Sequence, residues 1–134
     1  MTQDKVTKEM VYMYATLEVA KCIAKAQQHY KRDFPMPTLS FSLSGQCVGV
    51  AWTNYKGKGW MIELNKAFFV NNWHDMIEDT IPHEVAHLIA DTVFCARCHH
   101  DWRWKLVMKE VFNVKAERCH NYCRPTADMK AKVK

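Results

Sequence analysis

The first part of the chain carries apolar residues at helical spacing. Between about residues 5 and 32 they recur at intervals of three and four, at Val6, Met10, Met13, Leu17, Ala20 and Ala24. If these residues form a helix, the charged residues between them lie on its other faces, as in an amphipathic helix. Pro35 and Pro37 stop the helix after this stretch. The pattern predicts one long N-terminal helix that packs through its apolar stripe.

The pattern then changes to period two. Residues 39–43 alternate leucine or phenylalanine with serine, which is typical of a half-buried strand. Residues 44–45 (Ser-Gly) can turn the chain into a second alternating stretch at 48–52. The glycine-bearing loop 54–59 leads to a third stretch at 60–64. These features predict a three-stranded antiparallel meander.

Helical spacing returns from Asn72 to about Phe94. Because Pro82 lies inside this stretch, the helix either kinks there or begins near Thr80. A last helix is predicted from residue 101 to about residue 112. The length of 134 residues favours a single domain over 1–134. The predicted class is α+β: a helix, a meander, a second helix and a C-terminal helix.

The second of these helices carries the motif H-E-x-x-H at His83, Glu84 and His87. Residues four apart share one face of a helix, so both imidazoles can reach one metal ion. Glu84 projects to the flank, where it can take a proton from water beside the metal. The alternative interpretation is two incidental histidines on a buried helix.

A catalytic zinc ion usually takes three protein ligands and leaves the fourth position to water. The metzincin spacing H-E-x-x-H-x-x-G-x-x-H is absent from the sequence. A downstream glutamate ligand could only be Glu110 or Glu117, and neither lies in a recognisable motif. His99 and His100, just before an aromatic helix, are the natural candidates, and their position alone does not choose between them.

The segments IPHEVAHLIADTVF and HHDWRWKLVMKEVFNVKAERCHNY resemble the SprT-like family, which includes the eukaryotic protease Spartan. That family has a third histidine in the frame H-G-x-x-W at a helix start. His100 matches this frame because Trp104 follows four residues later, although Asp101 replaces the glycine. The preceding strand also ends in the family's I-x-L-N at residues 62–65, and the likeness spans residues from about 10 to 123.

The resemblance implies a zincin-type metallopeptidase. It implies zinc held by His83, His87 and His100, with Glu84 as the general base and a protein or peptide as substrate. It also implies a supporting position near the site for His120 and Tyr122.

Other polar residues are candidates for supporting the metal ligands. Asp79 lies one helical turn before the motif and Asp91 one turn after it. Either carboxylate could accept a histidine ring N–H and fix the tautomer, or both are ordinary surface groups. His99 is interpreted as a structural or supporting residue.

The chain has six cysteines and no N-terminal apolar segment typical of a secretory signal. We therefore expect a cytoplasmic protein with reduced thiols, the alternative being a protein whose signal has already been removed. Cys95, Cys98, Cys119 and Cys123 could hold a second, structural zinc ion, or they are four thiols near the active-site loop. Only 11 residues follow Cys123, which is too few for a full C-terminal zinc ribbon.

The formal net charge of +5 is compatible with a polyanionic partner but does not demand one. Tyr55, Lys56 and Lys58 lie in the loop between the second and third strands and could contact single-stranded DNA. The alternative is a solvated hairpin tip. No apolar run approaches the roughly 18 residues of a membrane span, so no membrane partner is expected.

Two functions follow from these patterns. The first is a zinc-dependent metallopeptidase of the SprT-like type that cleaves protein substrates associated with DNA. The second is a non-catalytic, zinc-stabilised DNA-associated or regulatory module. Glu84 favours the enzyme, because a purely structural site has no use for a base beside the metal.

Overall fold

Helices surround a small mixed sheet in the computed structural model, which describes residues 8–115. The elements in chain order are α1 (Lys8–Tyr30), β1 (Thr38–Leu43), β2 (Gly49–Trp52), β3 (Met61–Asn65), α2 (Lys66–Asn71), α3 (Trp73–Asp75), α4 (Ile81–Val93) and α5 (Trp102–Glu110). A 3-10 turn at Tyr55–Gly57 lies between β2 and β3, and a π-helical turn at Met76–Thr80 joins α3 to α4. The α+β class is confirmed.

The order of the strands differs from the prediction. The sheet order is β1-β3-β2, with β3 antiparallel to β2 and parallel to β1. The antiparallel meander was therefore wrong. The segment 44–48 does not close a hairpin but carries the chain from one edge of the sheet to the other.

Asn65, at the end of β3, holds this crossing segment in place. Its Nδ2 donates to the carbonyl oxygens of Gly45, at 3.1 Å, and Cys47, at 3.0 Å. Its Oδ1 accepts from the Ala67 backbone N–H and so caps α2. One buried side chain thus fixes the strand crossing and the start of the next helix.

The inner face of α1 also differs from the predicted stripe. The exposed fraction is 60% for Leu17 and 49% for Met13. The buried positions of this helix are Val11, Ala15, Val19, Cys22, Ile23 and Ala26. Most of these side chains are small, which lets α1 approach α4 closely. The predicted inward face was wrong because large apolar residues occupy the solvent side.

The centre of the molecule is α4. Each residue from 81 to 90 is buried, and the helix contacts α1, β2 and α5. A helix enclosed on all sides is apolar around most of its circumference. Pro82 lies in the first turn of α4, directly after the π-helical turn at Met76–Thr80. Thr80 and Ile81 both have helical backbone, and the Ile81 N–H donates to the Met76 carbonyl oxygen. Of the two alternatives for this region, the structure is closer to a helix with an irregular turn at the proline than to one that begins near Thr80.

From residue 8 to residue 115, no helix has both the length and the apolar character needed to cross a membrane. The cytoplasmic location and the single domain over 1–134 stay predictions.

Candidate metal centre

The first two histidines of the site lie on α4. His83 is 4% exposed and His87 is 7% exposed, and their ring centroids are 5.0 Å apart. One turn of a rigid, enclosed helix separates them, so both rings point to the same side. Glu84 lies between them in sequence and is 3% exposed.

The third histidine comes from the loop before α5. Nε2 of His100 lies 3.1 Å from Nε2 of His83 and 3.2 Å from Nε2 of His87. The ligand atoms of all three residues lie within 4.8 Å of one another. By contrast, His99 is exposed, and its backbone is left-handed with φ 52°. The structure therefore brings His100, rather than His99, to the two histidines of α4.

This arrangement fits a tetrahedral metal ion. With Zn–N distances of about 2.0–2.1 Å, tetrahedral geometry separates ligand nitrogens by about 3.3 Å. The two His100 separations of 3.1 and 3.2 Å are close to that value. The three histidines could hold a metal ion. Imidazole donors are consistent with zinc and are also used by copper, iron and nickel.

Trp104 forms the floor of the site. It is fully buried, and its ring centroid lies 4.7 Å from that of His83, 5.5 Å from that of His87 and 4.7 Å from that of His100. Its indole N–H donates to the His83 carbonyl oxygen at 3.2 Å. In the sequence, Trp104 served only to distinguish His100 from His99, and its contact with the histidine rings was not predicted. The signal for this contact was the spacing of four residues between His100 and Trp104 at the start of a helix, which brings the indole ring close to the imidazole.

The loop that carries His100 is anchored by Asp91, on the last turns of α4. Asp91 Oδ1 accepts from the Cys98 backbone N–H at 2.8 Å. Its main-chain oxygen accepts from the Ala96 N–H at 3.2 Å, while Cys95 adopts φ 53°, as in a helix C-cap with a left-handed residue. Burial raises the pKa of the Asp91 carboxyl. Asp91 thus supports the backbone of the loop, a contact that the prediction of a histidine partner did not include.

Asp101 begins α5 directly after His100. Its Oδ1 accepts from the Arg103 backbone N–H at 2.9 Å and so caps the helix, and its carboxylate pairs with the Arg103 guanidinium. This contact lowers the pKa of Asp101 and raises that of Arg103. Asp101 has φ −81°, which any residue adopts. The glycine of the H-G-x-x-W frame is therefore not needed here, and the aspartate serves as a helix cap.

Glu84 lies between the histidines and the sheet. Its Oε2 is 4.0 Å from Nε2 of His83. On the other side, a Cβ built on Gly49 of β2 would lie 3.1 Å from both Cγ and Oε2 of Glu84. Gly49 was not predicted as part of the site, because its contact with Glu84 joins residues far apart in the chain and no local motif marks it.

The remaining predicted residues fall into three groups. Asp79 is half-buried in the π-helical turn, and its supporting role stays a prediction. Of the hairpin residues, Lys56 and Lys58 are exposed, while Tyr55 is half-buried. Four of the predicted residues lie outside the described part of the chain: His120, Tyr122, Cys119 and Cys123.

The two described cysteines of the late group have different environments. Cys95 is exposed, whereas Cys98 is buried, and both are free thiols. Burial, followed by the charge of Asp91, raises the pKa of the Cys98 thiol to about 11. A zinc site shared with the later cysteines stays a prediction.

The fold and the site define an α+β protein with a three-histidine candidate metal centre built on an H-E-x-x-H helix. The profile of the SprT-like family matches residues 19–120. The chain belongs to the SprT-like family.

Curated relatives agree with this assignment. The chain is 38% identical over 104 residues to Protein SprT of Vibrio atlanticus, which covers 78% of this chain and 60% of that relative. It is 37% identical over 105 residues to Protein SprT of Pseudomonas putida, with 78% and 62% covered. Protein SprT of Pseudomonas aeruginosa is 36% identical over 105 residues, with 78% and 61% covered. The chain thus spans about three fifths of the length of these relatives. No solved structure matches the chain significantly.

Proposed function

We propose that this protein is a zinc-dependent metallopeptidase. The observation that carries the proposal is the convergence of three imidazole nitrogens beside a buried carboxylate, with Glu84 Oε2 4.0 Å from His83 Nε2. A site that only stabilises a fold usually closes the fourth metal position with another cysteine or histidine. A carboxylate adjacent to three histidines is instead suited to proton transfer.

In this mechanism His83, His87 and His100 would hold zinc. The metal, when bound, would supply Lewis-acid activation of water and of the scissile carbonyl. Glu84 takes the proton of the attacking water and returns it to the leaving amine. Burial of Glu84 at 3% exposure keeps the carboxylate in a fixed orientation and away from competing solvent. The Trp104 ring packs against all three imidazole rings and restricts their orientation.

The sheet supports a polypeptide as the substrate. Among the described strands, β2 stands at an edge of the sheet, and its residue Gly49 lies directly beside Glu84. An edge strand offers unpaired backbone groups that can bind an extended peptide as an additional strand. A peptide bound there would run close to the base.

The proposal is tested with Glu84→Gln, which keeps the size of the side chain but removes the base. The zinc-loaded variant should keep its zinc stoichiometry and fold, and kcat on an unfolded protein substrate should fall by at least about 100-fold. Glu78→Gln, on the exposed surface of the π-helical turn, is the matched control and should keep wild-type activity. Wild-type activity in Glu84→Gln would overturn the mechanism. Zinc-loaded wild-type protein that cleaves no substrate from a broad peptide library would favour the non-catalytic module.

We further propose that the substrates are proteins associated with DNA, and that the hairpin lysines contact the phosphates. Lys56 and Lys58 are exposed, and the chain has a net charge of +5. The Lys56 ammonium lies 5.1 Å from the centroid of the Tyr55 ring, and the centroid of the Trp52 ring lies 5.4 Å from the same point. Because Lys56 lies over one face of the Tyr55 ring, a base that stacks on that face has to displace the lysine. The lysines, rather than the tyrosine, are therefore the main proposed contacts.

Anisotropy titrations of a labelled single-stranded oligonucleotide at several salt concentrations test this contact. Replacing Lys56 and Lys58 by Ala should reduce the log–log salt slope by about 1.4, at roughly 0.7 for each phosphate contact. Replacing the exposed Lys21 and Lys25 of α1 gives the same change in net charge on another element. An equal loss of slope in both double variants would mean that net charge, and not the hairpin, attracts DNA.

A further inference from the structure

Gly49 is an unusual residue for its position in β2. It is the first residue of β2 and pairs with Leu64 of β3, and glycine is disfavoured in strands because it has no side chain to pack. Its φ lies outside the left-handed range, unlike φ 77° at Gly45 in the preceding loop. The backbone at this position therefore does not require glycine, and the reason for it must be space.

The space beside Gly49 is filled by Glu84. A Cβ at position 49 would lie 3.1 Å from Cγ, 3.1 Å from Oε2 and 3.3 Å from Cδ of that side chain. Ordinary contacts between carbon atoms are about 3.5–4.0 Å. The carboxylate of Glu84 thus occupies the volume that any larger residue at position 49 would need.

We infer that Gly49 is a positioning residue for the base: the absence of its side chain sets where the Glu84 carboxylate stands relative to the three histidines. This inference rests on the proposed peptidase function. Both backbones are fixed, because α4 is enclosed in the core and β2 is paired with β3. The soft degrees of freedom are the torsions of Glu84. An added methyl group at position 49 therefore shifts the carboxylate by a few tenths of an ångström and leaves the histidines in place.

Gly49→Ala tests the inference in the zinc-loaded protein. Zinc stoichiometry should not change and KM should stay within about twofold, because neither the ligands nor the sheet edge is altered. kcat should fall about tenfold, since a displacement of about 1 Å can cost 10²-fold and this shift is smaller. Gly45→Ala is the matched control: it adds the same methyl group in the loop before β2, where no atom lies within 4 Å of the new Cβ but φ is 77°. It should lower Tm, because a left-handed backbone disfavours a side chain, and leave kcat unchanged.

A double-mutant cycle with Glu84→Ala separates the contact from the chemistry. Gly49→Ala should lower Tm when Glu84 is present and should not lower it in the Glu84→Ala background, where the methyl group has room. An equal drop in Tm in both backgrounds, or a kcat of the wild-type level in Gly49→Ala, would overturn the inference. If no variant nor the wild type cleaves any peptide, the proposed function fails. The Tm cycle then decides by itself whether Gly49 makes room for Glu84.

Discussion

Replacing Asp91 by Ala removes the side chain that holds the His100 loop to α4. The Asp91 carboxylate accepts the Cys98 backbone N–H at 2.8 Å, and Cys98 is fully buried. Without this acceptor, a buried N–H loses its partner, at a cost of about 1–3 kcal/mol. The loop carries only one of the three histidines, so the other two should keep their places on α4.

The cost falls on zinc binding because the loop must be ordered for His100 to reach the metal. If the whole penalty opposes loop ordering, the zinc Kd should rise by about 5- to 150-fold, since about 1.4 kcal/mol corresponds to a factor of ten. Competition against a chromophoric chelator measures this change. Asp91→Asn is the control, because its amide oxygen can still accept from Cys98, and its Kd should stay near the wild-type value. Wild-type affinity in Asp91→Ala, or an equal loss in both variants, would refute the reasoning.

Three further predictions concern the same site. His100→Ala should lose far more zinc than His99→Ala on dialysis against a weak chelator, and equal losses would contradict the choice of the third ligand. Trp104→Phe removes an indole hydrogen bond and part of the floor, so zinc affinity should fall about tenfold while the fold persists by circular dichroism; unchanged affinity would show that the ring only fills space. Iodoacetamide at pH 8 should label Cys95 before Cys98, because a thiol of pKa about 11 is ionised in only about one molecule in a thousand. Equal labelling rates in peptide mapping would contradict the buried environment of Cys98.

The spacing of residues along the chain was enough to predict the H-E-x-x-H helix and the two histidines that it brings together. His83 and His87 are one turn apart, and this geometry is a property of any helix. The choice of His100 came from the resemblance, through its spacing to Trp104. The position of Asp101 as a helix cap was not predicted, although aspartate is among the preferred residues for a helix start.

Long-range features could not be predicted in the same way. Alternation identifies strands but not their neighbours. The Asn65 contacts that hold the crossing segment, with Gly45 and Cys47, join residues about 20 positions apart, and no local pattern marks them. In α1, two apolar stripes compete, and the larger residues Met13 and Leu17 proved to be the exposed ones. Helix packing selected the stripe with small side chains, which the hydrophobic pattern alone does not favour.

The coordination of zinc in the loaded protein tests the central claim most directly. X-ray absorption at the zinc edge distinguishes nitrogen or oxygen ligands at about 2.0–2.1 Å from sulfur at about 2.3 Å. The proposed peptidase requires three imidazole nitrogens and one exchangeable oxygen, with a spectrum that changes in His100→Ala and not in Glu84→Gln. A sulfur ligand or a fourth histidine in the same ion's shell would contradict the proposal and assign the metal a structural role.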